Sequence, residues 1–153
     1  MPNTRLARPI LLLSSLLLSS NALAQQPLDL LDASYTDILR WCQAHPDYKV
    51  GGAATGECLS DQSARLEHEV LVQQQDLLTD HCPAIKLRAA IAQQQWQTYR
   101  NSQCGLFQAM LDNTAMYNNA AACRLQMTLD YRDQQAFLAH YQPDTPVPCD
   151  ASP

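Results

Sequence analysis

The side chains in this sequence that could perform chemistry are four histidines, six cysteines and fifteen acidic residues. The run HEVLV at His68–Val72 begins like a zinc-protease helix, in which two histidines four positions apart bind the metal. Valine stands where the second histidine is required, so the motif is broken. Metal-binding Cys-x-x-Cys spacing, the Gly-x-Ser-x-Gly nucleophile motif and phosphate-binding glycine-rich loops are also missing from the sequence. We therefore predict no catalytic residue, no metal site and no cofactor.

A glycosidase needs two carboxylates at a fixed spacing across a cleft. With fifteen Asp and Glu residues, some such pair arises by chance, and nothing in the sequence marks one as shielded from water. An enzyme acting on cell-wall glycan is therefore the weakest of the functional hypotheses. Solvated helix surfaces account for the acidic residues more simply.

The N-terminus has the pattern of a signal peptide over residues 1–24. Two arginines precede the largely apolar run Ile10–Leu18, and the small residues of an Ala-x-Ala cleavage site end at Ala24. The apolar run is shorter than the roughly 20 residues that span a bilayer. Cleavage would leave a mature chain that starts at Gln25, in the periplasm or outside the cell, with no membrane attachment. Loss of the two arginines changes the formal net charge from −5 to −7, which disfavours nucleic acid as a partner.

All six cysteines follow the predicted cleavage site, and an even number in a small exported chain predicts three disulfides. Sequence alone does not choose among the possible pairings. The preferred set is Cys42–Cys58, Cys104–Cys123 and Cys82–Cys149. The first two pairs would each close a short link between helices, and the third would tie down the C-terminal tail.

Glycine is rare and apolar–polar alternation is not sustained, so the pattern favours helices over strands. We predict an all-α, disulfide-stapled bundle of about four helices, covering residues 25–142, with a proline-rich extended tail over residues 143–153. The expected helices are Ser34–His45, a second from Ser60, a third over Ala84–Leu111 with Pro83 in its first turn, and a fourth from Ala120. Inner positions on the last of these include Leu125, Leu129 and Phe137, and on the second Leu66, Val70, Leu77 and Leu78.

The third helix carries one stripe of residues spaced alternately by four and three positions. Its members, named here the α3 stripe, are Ala92, Trp96, Tyr99, Gln103, Leu106 and Met110. We interpret the two rings as core residues, with Arg100 lying against Trp96 or pairing with a carboxylate. The alternative places Trp96, Tyr99 and Arg100 on a partner-binding surface, where these residue types are enriched.

The segment LRAAIAQQQWQTYRNSQC, with its Trp96–Tyr99–Arg100–Cys104 spacing, resembles a helix of the LprI-type lysozyme-inhibitor family. CRLQMTLDYRDQQAFL resembles the family's next helix, with Cys123 and Thr128 in place, Arg132 one position late and Leu138 two late. The similarity covers Leu87–Leu138. DNTAMYNN replaces a Gly-Gly-Ser turn that is frequent in the family.

The resemblance implies a small helical protein of the bacterial envelope that binds another protein and inhibits lysozyme. The negative charge suits a basic lysozyme as partner, because opposite charge accelerates encounter. The loops Pro46–Gly56 and Asp112–Asn119 are the expected contact elements, with Asp47, Tyr48, Lys49 and Tyr117 as candidate residues. The alternative hypothesis is a structural or accessory envelope protein that does not inhibit. The sequence leaves the oligomeric state open.

Overall fold

The computed structural model describes residues 27–48, 51–140 and Cys149. In these residues the chain is helical and contains no strand, which confirms the predicted all-α class. The elements are α1 (Tyr35–Ala44), a 3-10 turn (Pro46–Tyr48), α2 (Ala54–Leu77), α3 (Pro83–Met110) and α4 (Thr114–His140). The predicted signal peptide and the tail residues other than Cys149 lie outside the described residues.

Helix α1 begins where the sequence predicts, at a reciprocal cap between Ser34 and Asp37. Each side chain accepts a hydrogen bond from the other residue's backbone N–H, both at 3.2 Å. The two side chains also share a hydrogen bond at 2.5 Å, and these contacts lower the pKa of the Asp37 carboxyl. The cap satisfies backbone donors that a helix start otherwise leaves unpaired. It therefore fixes the direction in which Ile38 and Cys42 enter the core.

Helices α2 and α4 both start six residues earlier than predicted. Gly51 has a left-handed backbone (φ 99°), and its carbonyl accepts a hydrogen bond from the N–H of Ala54, the first residue of α2. Asn113 caps α4 through its side-chain oxygen, which accepts the Met116 N–H at 3.0 Å. The prediction of a loop over Asp112–Asn119 is therefore wrong from Thr114 onward, because an asparagine just before a helix favours its start.

The core lies between α2 and α4, and α1 and the segment before it pack on one side. Its largest fully buried side chains include Leu30, Ile38, Leu66, Val70 and Leu125. Four predicted inner residues are thereby placed correctly: Leu66, Val70, Leu125 and Leu129. Leu78 is half-buried.

Two inner positions were predicted wrongly, since Leu77 is 39% exposed and Phe137 is 60% exposed. The buried residues of α2 end at Val70, and those of α4 end at Tyr131. Both helices therefore continue beyond the core, and apolar residues in their last turns are not covered by it.

The three disulfides form as preferred from the sequence. Cys42–Cys58 joins α1 to α2, Cys104–Cys123 joins α3 to α4, and Cys82–Cys149 links the start of α3 to the tail, with Cα–Cα distances of 5.7, 5.5 and 5.4 Å. Disulfides persist in oxidising, extracytoplasmic compartments, so the folded chain belongs to such a compartment. Among the helices of the described residues, none has the length and apolarity needed to cross a bilayer.

Candidate functional site

The two segments proposed as contact elements lie side by side at one end of the bundle. Asn118 donates a hydrogen bond from its amide to the carbonyl of Gly52 at 3.0 Å. A Cβ placed at Gly56 would come within 2.9 Å of Cε1 of Tyr117, so only a glycine allows α2 to approach α4 this closely. The Cys42–Cys58 disulfide then ties the same segment to α1. These contacts join the described parts of two segments that are distant in sequence into one surface.

An aromatic cluster fixes the position of the 3-10 turn within this surface. The ring centroid of His45 is 4.3 Å from that of Trp41 and 5.7 Å from that of Tyr48. Tyr48 donates its hydroxyl hydrogen to Asp61 at 2.7 Å. This hydrogen bond, assisted by burial and by the Asp61 charge, raises the pKa of Tyr48 to about 12. Tyr48 is therefore a half-buried anchor of the surface.

The surface is acidic, and we name it the acidic end. Its exposed carboxylates are Asp47, Glu57, Asp61 and Asp112. The Asp47 side chain is 79% exposed and lies 3.6 Å from the His45 ring nitrogen. Over 43–61 and 111–119, the only Lys or Arg in the sequence is Lys49, which lies outside the described residues. Arg65, further along α2, is the one cation whose charge acts on Tyr48 among the described residues.

Three of the four candidate contact residues are among the described residues, and they occupy different environments. Asp47 is open to a partner, whereas Tyr48 is committed to the aromatic cluster and to Asp61. Tyr117 was expected in a loop but lies in the first turns of α4, half-buried against Gly56. The reason is the cap at Asn113, which starts the helix before this tyrosine.

A second polar arrangement lies between α2, α3 and α4 and is built around Arg100. Its guanidinium donates to Glu67 at 2.7 Å and to the Thr128 hydroxyl at 3.1 Å. It also lies 4.6 Å from the centre of the Trp96 ring. Thr128 in turn shares a buried 3.1 Å hydrogen bond with Ser63 of α2. The arginine therefore makes both contacts expected of it and joins three helices.

The ring of Trp96 stacks on that of Tyr131, with centroids 4.1 Å apart. Burial is the main cause that raises the pKa of the Tyr131 hydroxyl. Tyr99 was predicted to pack in the core together with Trp96, and this is wrong because its side chain is 57% exposed. Trp96 and Arg100 face α4, and Tyr99 lies about 60° further round the helix from Trp96. One helical stripe therefore contains both a residue that packs toward α4 and a residue that is exposed to solvent.

Arg132, the last of the family-motif residues, binds the segment that precedes α1. Its guanidinium donates to the carbonyl oxygens of Ala33 at 2.7 Å and Leu30 at 3.0 Å, and it also pairs with Asp133 at 2.8 Å. Arg132 thus holds the N-terminal segment against α4. Apart from the pair with Asp133, the contacts of these motif residues join one helix or segment of the fold to another.

Sequence reasoning missed two partners, Glu67 and Asp61. Glu67 lies 33 residues from Arg100, and Asp61 lies 13 residues from Tyr48. Neither separation corresponds to neighbouring turns of one helix, so no local pattern identifies them. In the described part of the chain, no group of three or more His, Cys, Asp or Glu residues could hold a metal ion.

Comparisons of this chain with protein-family models, with curated proteins and with solved structures give no match. Assignment of a function therefore depends on the surfaces described above and on the resemblance carried by the motif residues.

Proposed function

We propose that this chain is an exported, non-enzymatic protein-binding module of the bacterial envelope, and that it inhibits lysozyme-type muramidases. The observation that carries the proposal is the acidic end, where the loop closed by Cys42–Cys58 lies against the start of α4. A surface that is rigid before binding loses little conformational entropy when it docks. The resemblance over Leu87–Leu138 to the LprI-type family supplies lysozyme as the target class.

Charge supports this choice of partner. The acidic end presents four exposed carboxylates against Lys49 and the nearby Arg65, and a basic enzyme would be attracted to it over a distance of about 10 Å at 0.1 M salt. Muramidases act through carboxylates in a cleft. The module would inhibit by covering the cleft mouth, with Asp47 and Glu57 contacting basic residues around its rim.

The test is a turbidity assay of muramidase activity with the oxidised chain lacking residues 1–24. Several lysozyme types are assayed at two salt concentrations. We expect saturable inhibition at near-stoichiometric protein, weakened by high salt. Absence of inhibition with every type at high micromolar protein would reject this function and favour a non-inhibitory envelope accessory protein.

Charge-reversal variants locate the binding surface. Reversal at Asp47→Lys with Glu57→Lys should weaken inhibition on the order of tenfold or more, because both carboxylates are exposed at the acidic end. The matched control, Asp76→Lys with Asp80→Lys, changes the net charge equally at the other end of α2, where both residues are exposed. Equal loss in the two pairs would show that overall charge matters and that the acidic end does not bind.

A further inference from the structure

The α3 stripe forms a second surface, on which every member except the half-buried Trp96 is exposed. Tyr99, Leu106 and Met110 are 57%, 53% and 67% exposed. Beside them a shallow groove runs between α3 and α4, and its α4 side is formed by Cys123 and Met127. Large apolar side chains in one continuous stripe are unusual on a surface that only meets water.

We infer that the α3 stripe pairs with the α3 stripe of a second copy of this chain, in an antiparallel dimer with two-fold symmetry. The first support is spacing. The stripe residues from Ala92 to Met110 follow one another at alternating steps of four and three residues. This is the heptad repeat, by which two helices interlock. A globular partner surface does not require that repeat over eighteen residues.

The second support is self-complementarity. A two-fold axis beside Asn101 sets each exposed member of the stripe opposite another residue. Ala92 lies opposite Met110, Tyr99 opposite Gln103, and Leu106 opposite the part of Trp96 that its own subunit leaves uncovered. The smallest side chain thereby meets a long one. The phenol of Tyr99 also meets an amide that can hydrogen-bond to it. An interface of this kind uses the same patch on both subunits, as two-fold symmetry requires.

The third support is charge. Between residues 89 and 111 the only charged side chain is Arg100, which is 7% exposed and paired with Glu67. The stripe has no carboxylate to attract a basic protein. It also has no like charges that would repel another copy of this acidic chain. A second copy therefore fits this surface better than the basic partner proposed for the acidic end.

The interface consists mainly of one helix from each subunit. Stable interfaces bury about 800 Å² on each partner, and a stripe of five exposed side chains and one half-buried ring lies at the low end of that scale. We expect a dissociation constant on the order of 10–100 µM.

Analytical ultracentrifugation of the oxidised chain lacking residues 1–24, from about 1 to 500 µM, measures the dimer directly. Leu106→Asp should raise the dissociation constant at least tenfold, because it buries an unpaired charge at the interface. Gln103→Leu should lower it about tenfold, because a polar residue at a heptad core position reduces stability. The matched control is Leu87→Asp, on the same helix but off the stripe and 63% exposed, which should leave the constant within about twofold.

A photo-crosslinker at Gln103 tests the orientation. In a mixture of isotopically light and heavy chains, it should link to the peptide that contains Tyr99 of the other copy. A wild-type chain that stays monomeric at 500 µM would overturn the proposal. So would a dimer that Leu106→Asp leaves intact or that Gln103→Leu does not tighten. These readouts do not involve the acidic end, so they are independent of lysozyme inhibition.

Discussion

Replacement of Glu67 by glutamine should destabilise the fold by about 2–3 kcal/mol, because it leaves the Arg100 guanidinium charged and buried. Removing one member of a fully buried ion pair costs about 3–5 kcal/mol. Here the side chains of Arg100 and Glu67 are 8% and 16% exposed, so the site is nearly but not fully dry. Glutamine can still accept one hydrogen bond from the arginine, which places the expected cost below that range.

Equilibrium unfolding of the oxidised protein in urea, followed by far-ultraviolet circular dichroism, measures this cost. With a slope of about 1–3 kcal/mol per molar urea, a loss of about 2–3 kcal/mol lowers the midpoint by about 0.7–3 M with the slope unchanged. The matched control is Arg40→Gln, which breaks the Arg40–Asp37 pair, whose side chains are 72% and 48% exposed. Exposed pairs contribute about 0–1 kcal/mol, so the control should shift the midpoint by at most half as much as Glu67→Gln.

Added salt separates the two cases further. Sodium chloride screens the exposed pair but reaches the buried one much less, so the effect of Glu67→Gln should persist at 1 M salt. If Glu67→Gln costs no more than Arg40→Gln, Arg100 does not depend on its carboxylate, and the three-helix role given to this pair is wrong.

Three further predictions concern single contacts. Gly56→Ala should destabilise the fold by about 1–3 kcal/mol through overpacking, whereas Gly105→Ala, where a Cβ meets nothing within 4 Å, should stabilise it by about 1 kcal/mol; the two urea midpoints must move in opposite directions. Asp61→Asn should lower the pKa of Tyr48 from about 12 toward 10.0 in an ultraviolet titration. Since the folded pKa is the higher one, Tyr48 stabilises the fold fully below pH 10, and this contribution is lost as pH rises toward 12 in the wild type. Arg132→Gln should speed amide exchange in the segment before α1, because two carbonyl contacts are lost; unchanged exchange there would contradict its anchoring role.

Much of the fold follows from local rules that a sequence displays. The reciprocal cap at Ser34 and Asp37 involves residues three apart, and the proline at the start of α3 suits a first turn. Both were predictable for that reason. The disulfide pairs were also predictable as a preferred set, because two of them span only 16 and 19 residues across short links between helices.

Boundaries and outward faces were predicted less well. Asn113 lies in a polar segment that is predicted to be a loop, yet its side chain caps α4, and Tyr117 therefore lies within the helix. The exposed side of the α3 stripe was assigned to the core because helical periodicity identifies which residues share a face. Periodicity does not say which face another helix covers.

The sequence by itself determined the all-α class, the candidate cysteine pairs and the residues that could anchor each helix. Only the tertiary structure decided that Glu67 meets Arg100, that Asp61 meets Tyr48, and that two distant segments make one acidic end. The physical reason is the separation in sequence between the residues that make each contact. Caps, turns and helical stripes arise from residues within a few positions of one another, so the sequence records them directly. Contacts between helices depend on how whole faces pack, and no short stretch of sequence specifies that packing.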